Sequence, residues 1–299
     1  MSGTERSLAL FLGCTIPLRA RQYEKAAVEI ARLFGCELTP LQDFACCGFP
    51  IKSESREHTL LLAARNLAVA EEAGLDILAL CSSCASVLAE TSHELRTDEA
   101  LREKVNARLA AIGRKIVEPR RVRHFARWLF DDIGIPAIKE KVVRPLEGFR
   151  FAVHYGCHYL KPSRAFEGPE DPEAPHSLGD LVRATGAEVI DYSEYKKCCG
   201  GAVLGIDAAL ALTLAGEKLT RIKTAAPDAV VLVCPFCAVM YDDNQSKVAG
   251  QMAQELGIPI LFLPQVLGLA LGRSAKDMEL KLAKNRCEKL IAAFADQPV

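Results

Sequence analysis

Ten of the twelve cysteines fall into one pattern written twice. The first copy runs Cys14, then the adjacent pair Cys46-Cys47, then Cys81-X-X-Cys84; the second runs Cys157, then Cys198-Cys199, then Cys234-X-X-Cys237. The gap between adjacent pair and Cys-X-X-Cys is almost the same in both copies, and the gap before the pair is longer in the second, where a proline-rich stretch is inserted. A five-thiol spacing that recurs across the chain demands two copies of one structural unit, each gathering sulfurs from segments far apart in sequence. The 299 residues, half of them apolar, are enough to bury such a pair of cores.

The segments around the cysteines read as alternating strands and helices. Ser7-Leu-Ala-Leu-Phe-Leu-Gly-Cys14 is a continuous apolar run ending in cysteine, as a buried parallel strand would be. A helix is expected over about Arg19 to Phe34, then Cys36-Glu-Leu, the Cys46-Cys47-Gly48 turn, a helix from Ser55 to Ala73, and strand Asp76-Ile-Leu-Ala-Leu-Cys81. The order returns as Arg150-Phe-Ala-Val-His-Tyr-Gly-Cys157, a helix near Leu178 to Thr185, a strand over Glu188 to Tyr192, Cys198-Cys199-Gly200, a further helix, and strand Asp228-Ala-Val-Val-Leu-Val-Cys234.

The expected fold class is therefore α/β: two pseudo-symmetric parallel-sheet domains with cysteines at the C-terminal ends of strands, where open α/β sheets place their ligands. Glu90 to about Arg150 is charge-rich and reads as a helical connection, with a helix start at Thr97-Asp98-Glu99. The domains are drawn as 1–145 and 146–299. Prolines 162, 169, 172 and 175 make Lys161 to Pro175 a surface loop. The tail from Ala275 reads as a polar amphipathic helix.

Several function classes are excluded early. With 37 basic and 38 acidic residues the formal charge is -1, so no net field holds nucleic acid or an anionic membrane. No apolar run approaches the roughly 20 residues of a membrane span. Leu12-Gly13-Cys14 has the outline of a lipoprotein cleavage site. Yet the apolar stretch Leu8 to Leu12 is too short, and Glu5 stands where basic residues belong, so a strand and a cytoplasmic protein are expected. Without a secretory signal the thiols are expected reduced.

Reduced thiols in sets mean metal, redox chemistry or both. A tetrahedral zinc site takes four ligands, usually from two Cys-X-X-Cys knuckles; here the knuckles lie in different halves and each set holds five thiols. Adjacent cysteines chelate one tetrahedral ion poorly but can reach different irons of a larger cluster. A metal-free thiol–disulfide enzyme would leave most of the ten unexplained.

The double pattern resembles the B subunit of heterodisulfide reductase across nearly the whole chain. Supporting matches are Phe11-Leu-Gly-Cys14, Lys161-Pro-Ser through Glu170-Asp-Pro-Glu, Cys234-Pro-Phe-Cys237 with Asp242 and Gln245, and Leu263-Pro-Gln-Val-Leu-Gly-Leu-Ala-Leu-Gly272. The cysteine pattern is shared with iron–sulfur subunits of lactate, glycolate and succinate oxidoreductases, whereas the flanking matches favour the heterodisulfide reductase branch.

This resemblance implies two non-cubane [4Fe-4S] clusters. One would sit on Cys14, Cys46, Cys47, Cys81 and Cys84, the other on Cys157, Cys198, Cys199, Cys234 and Cys237. One of each adjacent thiolate pair would bridge two irons. It implies a catalytic subunit that reduces a disulfide by two electrons, or oxidises a thiol in reverse, with each substrate sulfur landing on one cluster. The substrate is a disulfide or thiol: the mixed disulfide of coenzymes M and B in methanogens, or sulfur on a lipoyl or thiol carrier in sulfur oxidisers. The Ala- and Arg-rich composition leans toward the latter. The chain has no dinucleotide fingerprint and no ferredoxin-type cysteine run, so a ferredoxin-like C-type subunit and a flavin-containing A-type subunit are implied as partners. The alternative is an electron-relay iron–sulfur subunit of a hydroxyacid or succinate oxidoreductase.

His154 and His158 bracket Cys157 and could protonate a leaving thiolate or hydrogen-bond a cluster sulfur, although a histidine packed at a strand end is the plainer reading. Cys36 and Cys287 read as structural. Lys52, Lys196, Lys197 and Arg19 lie near the motifs and read as solvated surface charges. Gly48 and Gly200 are expected to permit the tight turns after each cysteine pair.

Overall fold

A computed structural model of the chain describes residues 6–166, 168 and 170–295. Eight strands form two four-stranded parallel sheets. The first contains β1 (Arg6–Phe11), β2 (Cys36–Pro40), β3 (Ile77–Ala79) and β4 (Val122–His124) in the order β2-β1-β3-β4. The second contains β5 (Arg150–His154), β6 (Glu188–Val189), β7 (Ala229–Leu232) and β8 (Ile260–Phe262) in the order β6-β5-β7-β8. The orders are the same, so the sequence repeat is a repeat of topology.

The central strands carry apolar runs because helices cover both faces. Ala9, Leu10 and Phe11, all of β3, and all of β7 are buried. The helices used below are α1 (Arg21–Leu33), α2 (Arg56–Glu72), α3 (Ser82–Thr97), α4 (Glu99–Leu109), α5 (Ser177–Arg183), α6 (Ala208–Ala225) and α7 (Leu263–Ala270). Side-chain caps set where three of them begin: Ser55 accepts from the His58 amide, Asp98 from Leu101 and Asp207 from Leu210. Ser55 and Asp207 hold equivalent places in the two halves, each opening the helix that follows a cysteine pair.

The halves clasp each other through matching aromatic contacts. Tyr23 on α1 stacks on Phe262 at the end of β8, with centroids 4.2 Å apart. His124 at the end of β4 meets the edge of Tyr159, just after Cys157, at 5.0 Å. Phe262 and His124 occupy the same position in their sheets, next to Leu232 and Ala79. Helix α7, from the second half, packs on α1 of the first.

Three expectations need correction. The strands stop short of the cysteines: β1 ends at Phe11 and β5 at His154, and a glycine in the left-handed region, Gly13 or Gly156, turns the chain before Cys14 and Cys157. The connection Glu90 to Arg150 is not only helical, since β4 lies within it and adds the fourth strand of the first sheet. The tail from Ala275 is not one helix. It runs through turns and a 3-10 turn at Leu280–Leu282 to the short helix Glu288–Ala293, because tertiary contacts outbid local propensity. Asp242 binds the amides of Lys284 and Asn285, the Met278 carbonyl accepts from Gln265, and Asn285 O accepts from Ile260 beside β8. The Lys161 to Pro175 loop contains one 3-10 turn, Ser163–Ala165, while Glu167 and Pro169 lie outside the described residues.

Candidate metal centre

Every motif cysteine sits in a turn or the first turn of a helix, just past the carboxyl end of a strand or next to that edge. Cys81 and Cys84 follow β3, with Cys84 in the first turn of α3; Cys234 and Cys237 follow β7 in the same way. The Cys46-Cys47 and Cys198-Cys199 pairs lie in turns closed by Gly48 (φ +89°) and Gly200 (φ +81°). A Cβ at Gly48 would lie 3.0 Å from the Thr59 backbone, and one at Gly200 only 2.5 Å from Ala211 O, so both turns are seated directly on α2 and α6. The same turns aim amides at sulfur: Gly48 N donates to Cys46 Sγ (3.5 Å), Gly200 N to Cys198 Sγ (3.4 Å) and Gly201 N to Cys199 Sγ (3.4 Å).

In the first half, Cys14, Cys47, Cys81 and Cys84 line one cavity, with Cys14 exposed at its mouth and Cys46 beside Cys47. Gly13 completes the wall, since a Cβ there would reach within 2.9 Å of Cys84 Sγ. In the second half, Cys157, Cys198, Cys199, Cys234 and Cys237 line a second cavity, and Cys157 Sγ lies 3.9 Å from Cys198 Sγ. Phe49, Ser83 and Phe236 border both cavities. The sets meet where Cys81 Sγ and Cys234 Sγ stand 3.9 Å apart.

Sulfurs this crowded cannot all ionise together in the absence of a cation. In the first set the neighbouring thiols of Cys46 and Cys84 pull the Cys47 pKa down to about 4, and the contact with Cys47 in turn pushes Cys46 and Cys84 up. In the second, Cys198 is driven low by Cys157 and Cys199, and Cys234 by Cys237 and by Cys81 of the first set, while Cys157, Cys199 and Cys237 are driven up, and so is Cys81 by Cys234. Such a donor set accepts a polynuclear, positively charged metal core, which allows every thiolate to form at once. The residues present fit an iron–sulfur group in both halves.

The histidines differ in setting. His154 is buried with Nε2 3.3 Å from Cys237 Sγ, and a ring nitrogen with the sulfurs of Cys199 and Cys237 forms a cluster whose ligand atoms all lie within 4.8 Å of one another. Burial holds its pKa well below the usual histidine range. His158 is half-buried, faces the second cavity, places Nδ1 3.2 Å from Cys157 Sγ and meets Phe49 of the first half edge-on at 4.6 Å. Burial lowers its pKa as well.

The basic residues near the motifs are engaged elsewhere. Lys52 pairs with Glu90, Lys196 with Glu173, Lys197 with Glu194 and Arg19 with Asp243. Cys36 is buried at the start of β2, and Cys287 donates to Asp228 O (3.5 Å), both outside the sets. Sequence reasoning missed three buried polar residues around the site. His124 accepts the Ala126 amide at Nδ1 and donates from Nε2 to Val233 O (2.9 Å), an acceptor it shares with Ser82 Oγ. Asn66 on α2 ties down the loop that enters Cys46, and Lys218 on α6 the loop that enters Cys198. Laying one half of the sequence over the other would have revealed the last two, which stand twenty positions after the first cysteine of each pair.

Residues 8–89 and 151–242 match the CCG cysteine-rich domain family. Among full-length relatives, the chain is 35% identical over 278 residues to the B subunit of the Ferredoxin/F(420)H(2)-dependent CoB-CoM heterodisulfide reductase of Methanosarcina acetivorans, covering 92% of each chain. It is 31% identical over 278 residues to the 8-methylmenaquinol:fumarate reductase membrane anchor subunit of Wolinella succinogenes, covering 92% of this chain and 96% of that one. Among the described residues no helix is long and apolar enough to cross a membrane. A hypothetical protein from Helicobacter pylori shares the fold with a TM-score of 0.76 at 17% identity, over 94% of this chain and 52% of that one, so this chain spans about half its length. With two CCG domains and this likeness end to end, the chain belongs to the family of heterodisulfide reductase B subunits.

Proposed function

We propose that the chain is the catalytic iron–sulfur subunit of a cytoplasmic heterodisulfide-reductase-like complex. Residues 1–145 carry one non-cubane [4Fe-4S] cluster on Cys14, Cys46, Cys47, Cys81 and Cys84; residues 146–299 carry the other on Cys157, Cys198, Cys199, Cys234 and Cys237. The observation that carries this reading is the meeting of the two sets, with Cys81 and Cys234 Sγ 3.9 Å apart and Phe49, Ser83 and Phe236 lining both cavities. A disulfide brought to that wall has one sulfur set beside each half.

When bound, the clusters supply one-electron centres whose iron can take a thiolate sulfur. The overall change balances as RSSR′ + 2e⁻ + 2H⁺ → RSH + R′SH, and runs backwards for thiol oxidation. The protein's own part is to hold the ten thiolates, to keep bulk water out with Phe49 and Phe236, and to orient the chemistry with histidine. His158, open to the cavity, is placed to hand a proton to a departing thiolate. His154, enclosed against Cys237, is placed to hydrogen-bond that sulfur. Electrons pass through a ferredoxin-like C-type subunit and a flavin-containing A-type subunit. A lipoyl or thiol carrier, as in sulfur metabolism, fits the substrate class.

A second reading, an electron-relay subunit of a succinate or hydroxyacid oxidoreductase, is favoured by the likeness to the Wolinella fumarate reductase subunit. Anaerobic iron and sulfide quantitation, with electron paramagnetic resonance before and after adding a small mixed disulfide, separates the two. Cluster signals that change on adding the disulfide support catalysis at the clusters. Intact signals that ignore it support relay. Zinc alone in anaerobically prepared protein removes both.

A further inference from the structure

The two cysteine turns are held from below by residues of different charge. In the first half Asn66, fully buried on α2, accepts from the Ala45 amide (2.8 Å) and donates to Cys46 O (3.2 Å). In the second, Lys218 occupies the matching place on α6, 1% exposed, and its ammonium donates to Tyr195 O and Lys197 O, each at 2.6 Å. The correspondence is geometric as well as numerical. The turn glycines lie against Thr59 on α2 and Ala211 on α6, and both Asn66 and Lys218 stand seven positions further along those helices.

A buried ammonium is costly unless an anion compensates it. The hydrogen-bond partners of Lys218 are neutral carbonyls, and the nearest aromatic face is Tyr192, 5.8 Å away. Burial draws its pKa down to about 8, and the groups that act in the opposite direction are the thiols Cys237, Cys199, Cys198 and Cys157 of the second set. His154 faces the same region. The anion that justifies this lysine is therefore the thiolate-bound centre itself. Around the first set the amide of Asn66 contributes no charge, and Lys52 is already paired with Glu90.

Resting on the two-cluster reading above, we propose that Lys218 is a positioning residue that places a fixed positive charge beside the second cysteine set only, making its iron–sulfur centre the more easily reduced of the two. A nearby cation stabilises the more negative, reduced state, so one electron delivered to the pair resides in the second half and no bond is made or broken. The two halves then differ in role although their ligands match. The half that holds Cys157, Cys198, Cys199 and Cys237 would then be the first to accept an electron, and the half that holds Cys14, Cys46, Cys47, Cys81 and Cys84 the second.

The test is a potentiometric titration of the full-length, anaerobically loaded protein followed by electron paramagnetic resonance, with signals assigned through variants that lack one cysteine set. Lys218→Asn and Lys218→Gln should lower the midpoint potential of the second centre and leave the first in place. Lys218→Arg should keep the wild-type value, and Asn66→Lys should raise the first centre toward the second. A neutral variant with full iron and an unmoved second potential overturns the proposal. Should the neutral variants lose the second cluster, Asn66→Lys decides: a raised first potential supports the assignment and an unchanged one overturns it. Absence of iron from the wild-type protein would sink the cluster reading and this inference together, whereas two clusters insensitive to Lys218 sink this inference alone.

Discussion

Burying a thiol costs little and burying a thiolate costs a great deal, so sulfurs gathered this closely can all ionise only when metal charge compensates them. Removing one ligand from a set should therefore empty that set and spare the other. Cys47→Ala and Cys199→Ala should each lose about half the iron, measured by anaerobic iron and sulfide analysis, because each thiol belongs to one half only. Retention of full iron by both variants would refute the two-cluster proposal. A second residue-scale effect concerns His124, whose burial lowers its pKa from 6.5 to about 4. The unfolded chain takes up a proton below about 6.5 while the folded chain resists until about 4. The stabilisation from a neutral His124 is thus whole at neutral pH and above, and is lost as pH falls through this window. Its size is on the order of 3 kcal/mol. Denaturant unfolding of the iron-free chain at pH 7 and pH 4 should show wild type losing that much more than His124→Gln; equal losses would dismiss the idea.

At the scale of elements, each cysteine pair depends on a left-handed glycine pressed against the following helix. Gly200→Ala forces a side chain into φ +81° and drives its Cβ to within 2.5 Å of Ala211 O on α6. The expected cost is on the order of 3 kcal/mol, from backbone strain plus overpacking. Because the displaced turn carries Cys198 and Cys199, iron should be lost from the second half first. Gly205→Ala is the matched control: no atom lies within 4 Å of its Cβ and its φ is ordinary, so it should stay within about 0.5 kcal/mol of wild type. Thermal melts of both variants check this, and a Gly200→Ala protein as stable as Gly205→Ala would contradict it.

Across the whole molecule, the two sheets share one seam. Tyr23, fully buried, stacks on Phe262, and His124 with Ser82 reaches across to Val233 O. Tyr23→Ala should cost about 3–5 kcal/mol, the usual range for losing a large buried ring. The loss should fall on both halves, because Tyr23 belongs to one and its partner to the other. Urea unfolding followed by tryptophan fluorescence reports the first half through Trp128, and circular dichroism reports both. The two curves should coincide in wild type and separate in Tyr23→Ala; curves that already diverge in wild type would mean independent domains.

The repeated spacing by itself determined that the chain is a two-fold repeat, because matching gaps between sulfurs are satisfied by matching paths through matching folds. It also determined the parallel α/β class, since Leu8 to Phe11 and Ala229 to Leu232 are apolar runs that need cover on both faces. The helix start at Asp98 was legible from local chemistry alone. Other features were not legible locally. Strand β4 sits among Arg121 and Arg123 and shows no apolar run, so pairing with β3 decides it. The tail after Ala275 has helical residues, yet Asp242 and Gln265 hold it in turns. The approach of Cys81 to Cys234, and the charge of Lys218 beside one set with Asn66 beside the other, are properties of the tertiary structure. They join residues 153 apart, or compare helices from separate halves, and only the packed molecule fixes such distances.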